Sequence, residues 1–254
     1  LVIGIGTRFD DRIIGNINGY APMTNKSEGG YGIIHIDSSI NQIKKVDRLF
    51  NPFKEEKHLQ SLNVSSEIFL KETIKHLKKF NKTARSSWQQ RIIDYKNTYK
   101  FQSHNYSLLK EKEVNSGIFT TGEVISQIDK SIDNLNINRD LISYTTGVGN
   151  HQMFTAQHIT WTTPGKMITS GSLGTMGVGV PFALGVKLAR PDNIVICIDG
   201  DGSFCMTASD LQTVAELNIP IKICIMNDKR QQMVHIWQKL FFNERYIATD
   251  NVNP

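Results

Sequence analysis

The chain has 254 residues, 39% of them hydrophobic and 21% charged, with 19 Gly, 7 Pro and a net charge of +5. That composition supplies the core of one large or two ordinary domains and excludes a disordered or collagen-like chain. No apolar run approaches the roughly 18 residues a membrane-spanning helix needs, so no membrane partner is expected. The positive charge is concentrated, because residues 41–120 carry 16 Lys/Arg against 8 Asp/Glu. These lysines fall on amphipathic patterns such as SSEIFLKETIKHLKKF without a DNA- or RNA-binding motif, so they read as solvated helix faces and no nucleic-acid partner is expected. Cys197, Cys205 and Cys224 lie 8 and 19 residues apart, in no metal or redox pattern, and read as core thiols of a reducing compartment. The chain opens at Leu1 inside an apolar run without an initiator Met and stops at Asn253 and Pro254 with no closing element, which reads as a piece of something longer.

Taken in order, residues 1–62 alternate apolar runs (LVIGIG, GYGIIHIDSS) with turn residues, and 33–36 form a short buried-strand pattern. This predicts part of a small α/β domain. Residues 63–118 are polar, with a capped helix starting near Ser65 or Ser66 and a helical pattern centred on Trp88 and running to Tyr99, as expected of a helical linker. From Thr120 to 254 the pattern is regular. Thr120 and Glu123 form a capping box, and LISY, KMITSG, NIVICIDGDGS and IKICIMND each run from an apolar stretch into a turn. Strands alternating with helices predict a mostly parallel α/β sheet.

The DGDGS motif at 199–203 carries the chemistry. An apolar run (194–198) ends there and a helical pattern resumes from about Thr207, so the loop falls at the carboxyl end of a parallel strand and the amino end of a helix. Backbone N–H groups there favour an anion, and glycines let a phosphate approach. Asp199 and Asp201 are expected to differ in direction, so only one need face a ligand. The next apolar run, 221–226, ends at Asn227 and Asp228, which lies 27 residues after Asp201, about one βαβ unit. Two oxygen-bearing side chains thus emerge on one edge of adjacent parallel strands, where α/β sheets bind ligands. Hard oxygens beside a phosphate-accepting loop suit Mg2+. A metal-bridged diphosphate is the expected ligand.

A GDG followed some 25 to 30 residues later by a paired Asn resembles thiamine diphosphate (ThDP) enzymes. GTRFDDR at 6–12, the Trp88 helix, TTGVGNHQMFTAQH at 145–158, ITSGSLGTMGVGVPFALG at 168–185, IDGDGSFCMT at 198–207 and QQMVHIWQKLF at 231–241 narrow the resemblance to acetolactate synthase (acetohydroxyacid synthase) catalytic subunits, fungal ones foremost. The resemblance implies a partial central Rossmann-like (DHS-like) flavin-binding domain over 1–62, followed by a parallel-sheet ThDP-binding domain over 119–254, both incomplete. It implies that Asp201, Asp228 and the backbone carbonyl of Arg230 hold Mg2+. ThDP would be bordered by Val148, Gly149, His151, Gly174, Met176, Gly200, Gly202, Ser203 and Met233, with Met176 under the folded cofactor. Met233, Val234 and Trp237 would line the substrate channel. A flavin (FAD) would touch Gly6, Arg8, Asp10, Arg12, Ile13, Gln152 and Met153. For a lone His, Met or Trp such as His151, Met176 and Trp237, a plain structural place is the competing reading.

The implied activity is decarboxylation of pyruvate and condensation with a second 2-keto acid such as 2-ketobutyrate, in branched-chain amino acid synthesis. The implied setting is a homodimer in mitochondria, with a regulatory subunit as possible company. The activating glutamate of such enzymes lies on a domain that would precede Leu1, so no catalytic residue is assigned within the chain. Departures from the family pattern surround the site: Asp228 for the second Asn, Gln232 for Gly in Gln-Gly-Met, Asn150 for Gln, Ser172 for a flavin-facing Gly, and Glu55, Glu56 and Lys57 where Gly-Asp-Ala belongs. They motivate a second reading, a degenerate or truncated non-catalytic relative acting as an interaction partner. A nicotinamide dehydrogenase using Gly4 and Gly6 is set aside, because no third glycine completes G-x-G-x-x-G.

Overall fold

The computed structural model describes residues 1–24, 30–50, 59–77, 85–98 and 119–251. The chain divides into two compact units, Leu1–Gln90 and Arg91–Pro254. In the first, three parallel strands, β1 (Val2–Ile5), β2 (Ile33–Asp37) and β3 (Leu59–Asn63), pair in that order. β2 is central and carries Ile33 and Ile36 into the core, as its apolar run predicts. Helix α1 (Asp11–Ile14) is one turn, nucleated by Asp10, whose side chain accepts from Ile13 N–H. In α2 (Ile40–Phe50), Ile43, Val46 and Phe50 recur at helical spacing; Ile43 is buried, and Val46 and Phe50 pack with Phe9 and Leu59. α3 (Ser66–His76) starts at the Ser65 cap. α4 (Ser86–Thr98) is the Trp88 helix; Tyr99 is outside the described residues.

The second unit is built on four parallel strands, β4 (Ile142–Thr146), β5 (Met167–Ile168), β6 (Ile194–Gly200) and β7 (Ile221–Met226), in the order β5-β4-β6-β7. α5 (Thr121–Asn134) opens on the predicted capping box, with Thr120 and Glu123 bonding reciprocally. α6 (Asn150–His158), α7 (Gly179–Ala189), α8 (Asp201–Phe204), α9 (Leu211–Glu216) and α10 (Gln232–Phe241) follow in the loops between and after the strands. β6 shows why both faces are covered. Ile198 and Ile196 pack toward α5 and α6 with Ile125 and Ile132, while Val195 and Cys197 pack toward α7 with Val180 and Ala183. A strand buried on both sides must be apolar throughout, which is what NIVICI supplies. The buried stripe of α5 includes an acid, Asp129, held by Arg139 at 2.6 Å and by the N–H and hydroxyl of Thr160. Burial acts upward on its carboxyl, but these hydrogen bonds outweigh it and hold it below its ordinary range.

The order β5-β4-β6-β7 fixes where a ligand goes. From β4 the chain moves to β5 on one side, then crosses back through α7 to β6 on the other. Connections therefore leave β4 and β6 in opposite directions, and the carboxyl ends of these two strands flank the crevice where open α/β sheets bind ligands.

The structure corrects two expectations here. The helical pattern does resume after Thr207, as the 3-10 turn Ala208–Asp210 continuing into α9, but the loop expected before it is a separate short helix, α8, into which β6 runs directly at Asp201. Four residues align too few peptides to sum a macrodipole, so any anion there depends on individual N–H groups. Of the three thiols, Cys197 is buried in the core and Cys224 half-buried, but Cys205 is exposed, because it stands just past the end of so short a helix.

Candidate functional site

At the β4/β6 crevice lies a cleft of about 150 Å³ into which separate stretches of the sequence converge. The β4 end contributes Val148, Gly149 and His151, the segment after β5 contributes Gly174 and Met176, and β6 contributes Gly200, Asp201, Gly202 and Ser203. Past β7 come Asp228, Arg230, Met233 and Val234. All the residues predicted for ThDP and metal thus meet in one place. Of the predicted channel residues, Trp237 does not line the cleft; it is 53% exposed and packs on Phe241, so it is no core residue either. A larger apolar hollow of about 940 Å³ lies beneath α5, lined by residues such as Val124, Ile128 and Leu135, and brings no cluster of reactive groups together.

The glycines make room, though not in the way the sequence suggests. A Cβ on Gly149 would fall 2.9 Å from His151 Cε1, and one on Gly200 would fall 2.9 Å from His151 Nδ1. The Nδ1–Cε1 edge of the imidazole therefore lies close against both glycines, with Nε2 3.3 Å from Asp199 Oδ1. Similarly, a Cβ on Gly202 would fall 2.1 Å from Gln231 Nε2, so the Gln231 amide lies on the bare backbone of Gly202. Asp199 is fully buried under Gly147 and Gly179, whereas Asp201, the first residue of α8 rather than part of β6, takes the cleft side. Ser203 Oγ accepts from Gly177 N–H, and Thr207 Oγ1 donates to the Gly177 carbonyl, so the segment bearing Met176 is pinned at both polar groups of one residue. Gly177 has φ +81, a left-handed conformation that its lack of a side chain permits.

Three helices, α6, α8 and α10, begin at the cleft, and none of their N-caps (Gly149, Gly200 and Gln231) makes a side-chain cap hydrogen bond. α1, α3 and α5 are capped by Asp10, Ser65 and Thr120, whereas α7 and α9, which do not line the cleft, also lack a side-chain cap. Uncapped first-turn N–H groups are donors awaiting an acceptor. The cleft also holds two carboxylates, Asp201 and Asp228, neither of which forms an ion pair among the described residues. Burial, and then the nearby Asp201 charge, push the Asp228 carboxyl above its ordinary range, although Arg230 N–H bonding to Oδ1 opposes the rise. Two neighbouring carboxylates beside helix starts that carry no side-chain cap suit a hard cation carrying an anion. Among the described residues, no cluster of three or more His, Cys, Asp or Glu could hold a metal alone. A cation here would need backbone, water or ligand oxygens as well, the usual habit of Mg2+. Arg230 answers part of that need. It pairs with Asp250 in an isolated antiparallel bridge whose hydrogen bonds are Gln231 N–H to Thr249 O and Asn251 N–H to Lys229 O, so the carbonyl of Arg230 itself is left out of the ladder.

The expected flavin contacts are distributed over both units. Gly6, Arg8, Asp10 and Ile13 lie on the loop and turn at the carboxyl end of β1; Gly6 has φ +63, and Arg8 pairs with Asp10 at 3.3 Å. The Arg12 side chain and residues 55–57 are outside the described residues. In the second unit, Gln152 donates to Thr169 Oγ1 and Ser170 O, bracing the segment after β5, and Met153 is part-exposed on α6. Residues to which the sequence assigned no binding role also belong to the cleft: Met226, Gln231 and Asn150 line it, and Asn251 donates to Asp201 Oδ2 at 2.8 Å. Asn251 carries no motif, and only the return of the chain after α10 brings it there.

Residues 147–254 match the family described as thiamine pyrophosphate enzyme, C-terminal TPP binding domain. The whole chain is 38% identical to the mitochondrial acetolactate synthase of Schizosaccharomyces pombe and 38% identical to the mitochondrial acetolactate synthase catalytic subunit of Saccharomyces cerevisiae, covering 35% and 34% of those proteins. It is 33% identical over 98% of its length to acetolactate synthase isozyme 2 large subunit of Escherichia coli, covering 39% of it. The chain spans about a third of the length of these relatives. From end to end the chain is similar to about one third of an acetolactate synthase catalytic subunit, and its residues 147–254 are similar to the C-terminal thiamine pyrophosphate-binding domain.

Proposed function

We propose that the cleft holds the diphosphate of ThDP through Mg2+, and that the chain is the corresponding part of an enzyme that decarboxylates pyruvate and joins the product to a second 2-keto acid, such as 2-ketobutyrate, in branched-chain amino acid synthesis. The observation that carries this is the convergence of three uncapped helix starts on two unpaired carboxylates. Asp201, Asp228 and the Arg230 carbonyl hold the cation, and N–H groups at Gly202 and Ser203 take phosphate oxygens. Val148, Gly149, Gly174, Met176 and Met233 form the apolar wall that folds the cofactor, and His151, fixed by its glycines, borders the phosphates. Val234 and Trp237 face incoming substrate. When bound, ThDP supplies the nucleophilic carbon and the electron sink; the protein positions it and excludes water.

A cleft of about 150 Å³ is small beside the roughly 300–1,000 Å³ of pockets that enclose a drug-sized ligand. It suits one half of the cofactor, which supports a homodimer whose other subunit covers the rest and supplies the activating glutamate. FAD on the β1 loop, a regulatory subunit and a mitochondrial setting follow from likeness to the fungal relatives. Among the described residues no helix is long and apolar enough to cross a membrane.

Calorimetric titration with ThDP tests the site: binding is expected only with Mg2+, and equal affinity without metal refutes the assignment. One observation favours the second reading, a non-catalytic relative. Gln231 lies on Gly202, inside the proposed phosphate cradle. Failure of ThDP to bind until Asp228→Asn and Gln232→Gly are introduced supports that reading; binding by the unaltered chain rejects it.

A further inference from the structure

The structure assigns Asn251 as a positioning residue for the metal-binding carboxylate of Asp201, an inference that rests on the Mg2+ reading of the cleft. Asn251 lies 50 residues from Asp201, beyond α10, yet its Nδ2 donates to Asp201 Oδ2 at 2.8 Å. The amide is not free to rotate, because Gln231 Nε2 donates to its Oδ1 at 3.2 Å. Nε2 can only donate, so the oxygen of Asn251 must face Gln231 and its NH2 must face Asp201. The backbone is fixed as well, with Asn251 N–H bonding to the Lys229 carbonyl at 2.7 Å and Gln231 N–H bonding to that of Thr249 at 2.7 Å. The same short antiparallel contact holds Arg230, the residue proposed to lend its carbonyl to the cation.

The consequence is geometric. A carboxylate has two oxygens, and the one bonded to Asn251 has a lone pair committed, so Asp201 presents Oδ1 to the cation in a single orientation. Asp201 is only 3% exposed, and water is poorly placed to substitute for the amide. Partners of this kind orient metal ligands, and their loss typically costs about 10- to 100-fold in metal affinity. Gln231 is then the third member of a relay, Gln231 to Asn251 to Asp201, which gives the amide lying on Gly202 a task of its own.

The test uses the full chain with saturating ThDP and measures Mn2+ binding by electron paramagnetic resonance, with circular dichroism of the metal-free protein as the folding control. Asn251→Leu is expected to weaken Mn2+ binding about tenfold, and Asn251→Gln, which keeps an amide donor, to recover most of that loss. Parent-like affinity in Asn251→Leu overturns the assignment, and so does an equal loss in the Leu and Gln variants, which marks a role in packing alone. Should Asn251→Leu fail to fold, Gln231→Leu carries the test, since freeing the Asn251 amide should weaken the metal and parent-like affinity overturns the relay. Asp201→Ala separates the two readings: if it binds Mn2+ as the parent does, the metal site itself fails, whereas loss in Asp201→Ala beside parent-like binding in Asn251→Leu removes only the role of Asn251.

Discussion

Gly200→Ala probes whether the glycine before Asp201 exists for a phosphate or for a histidine. The backbone at Gly200 is extended, with φ −93° and ψ 155°, which alanine adopts readily, so the main chain adds no strain. The cost arises only from the new methyl, 2.9 Å from His151 Nδ1 and 3.1 Å from Cε1, about half an ångström inside ordinary contact. The ring has nowhere to retreat. It also meets the Gly149 backbone at the same Nδ1–Cε1 edge, faces Asp199 at 3.3 Å, and is 6% exposed. Overpacking of this kind costs about 1–3 kcal/mol. Urea unfolding of the parent, Gly200→Ala, His151→Ala and the double variant forms a cycle. The methyl should fit into the space a deleted imidazole leaves, so the two changes should couple by about 1–3 kcal/mol, the double variant being more stable than the sum of the single losses predicts. Additivity within about 0.5 kcal/mol refutes the contact. So does a Gly200→Ala chain of parent-like stability that no longer binds ThDP, which returns the glycine to phosphate contact.

Other consequences follow from groups whose partners are equally defined. Because the folded Asp228 carboxyl is raised, the folded state holds its proton to higher pH than the unfolded chain, and stability falls as pH rises from the ordinary carboxylate range through that higher value. Asp228→Asn should therefore make the metal-free protein more stable at neutral pH and flatten this part of its pH profile in urea titrations; an unchanged profile rejects the repulsion. Asp129 behaves oppositely, its lowered carboxyl stabilising the fold at neutral pH and losing that contribution as pH falls through its lowered value. Arg139→Ala, which strips the buried partner at 2.6 Å, should cost about 3–5 kcal/mol and weaken the acid dependence, a result that denaturant unfolding at pH 7 and pH 3 would check. Cys205 should react rapidly with a thiol reagent, whereas Cys197, fully buried and with its thiol pushed up to about 12 mainly by burial, should react only on unfolding; mass spectrometry of the labelled peptides distinguishes them.

What the sequence reveals follows the range of the interactions involved. The strands of the second unit are legible because a strand covered on both faces needs an unbroken apolar run, as in NIVICI, and the Thr120 capping box is legible because both partners lie within four residues. The pair of carboxylates is legible because parallel strands bring their carboxyl ends to one edge, so Asp201 and Asp228, 27 residues apart in sequence, meet in one cleft. What a glycine makes room for is not legible. Gly200 and Gly202 announce close approach, but whether a phosphate, an imidazole or an amide approaches depends on where His151 and Gln231 point, and those directions are set by α6 and α10 as packed units. Asn251 is less legible still, for its role exists only once the chain has turned back after α10, and no local pattern foretells an amide that must meet Asp201 across 50 residues. The difference bears on the departures from the family pattern. Asp228 and Gln232 look damaging beside a motif, yet the cleft around them is closed by a continuous relay of bonds from Gln231 through Asn251 to Asp201. If the cleft holds Mg2+ as proposed, an Asp201 held at 2.8 Å by a residue 50 positions away is ordered for that task despite the substitutions at 228 and 232.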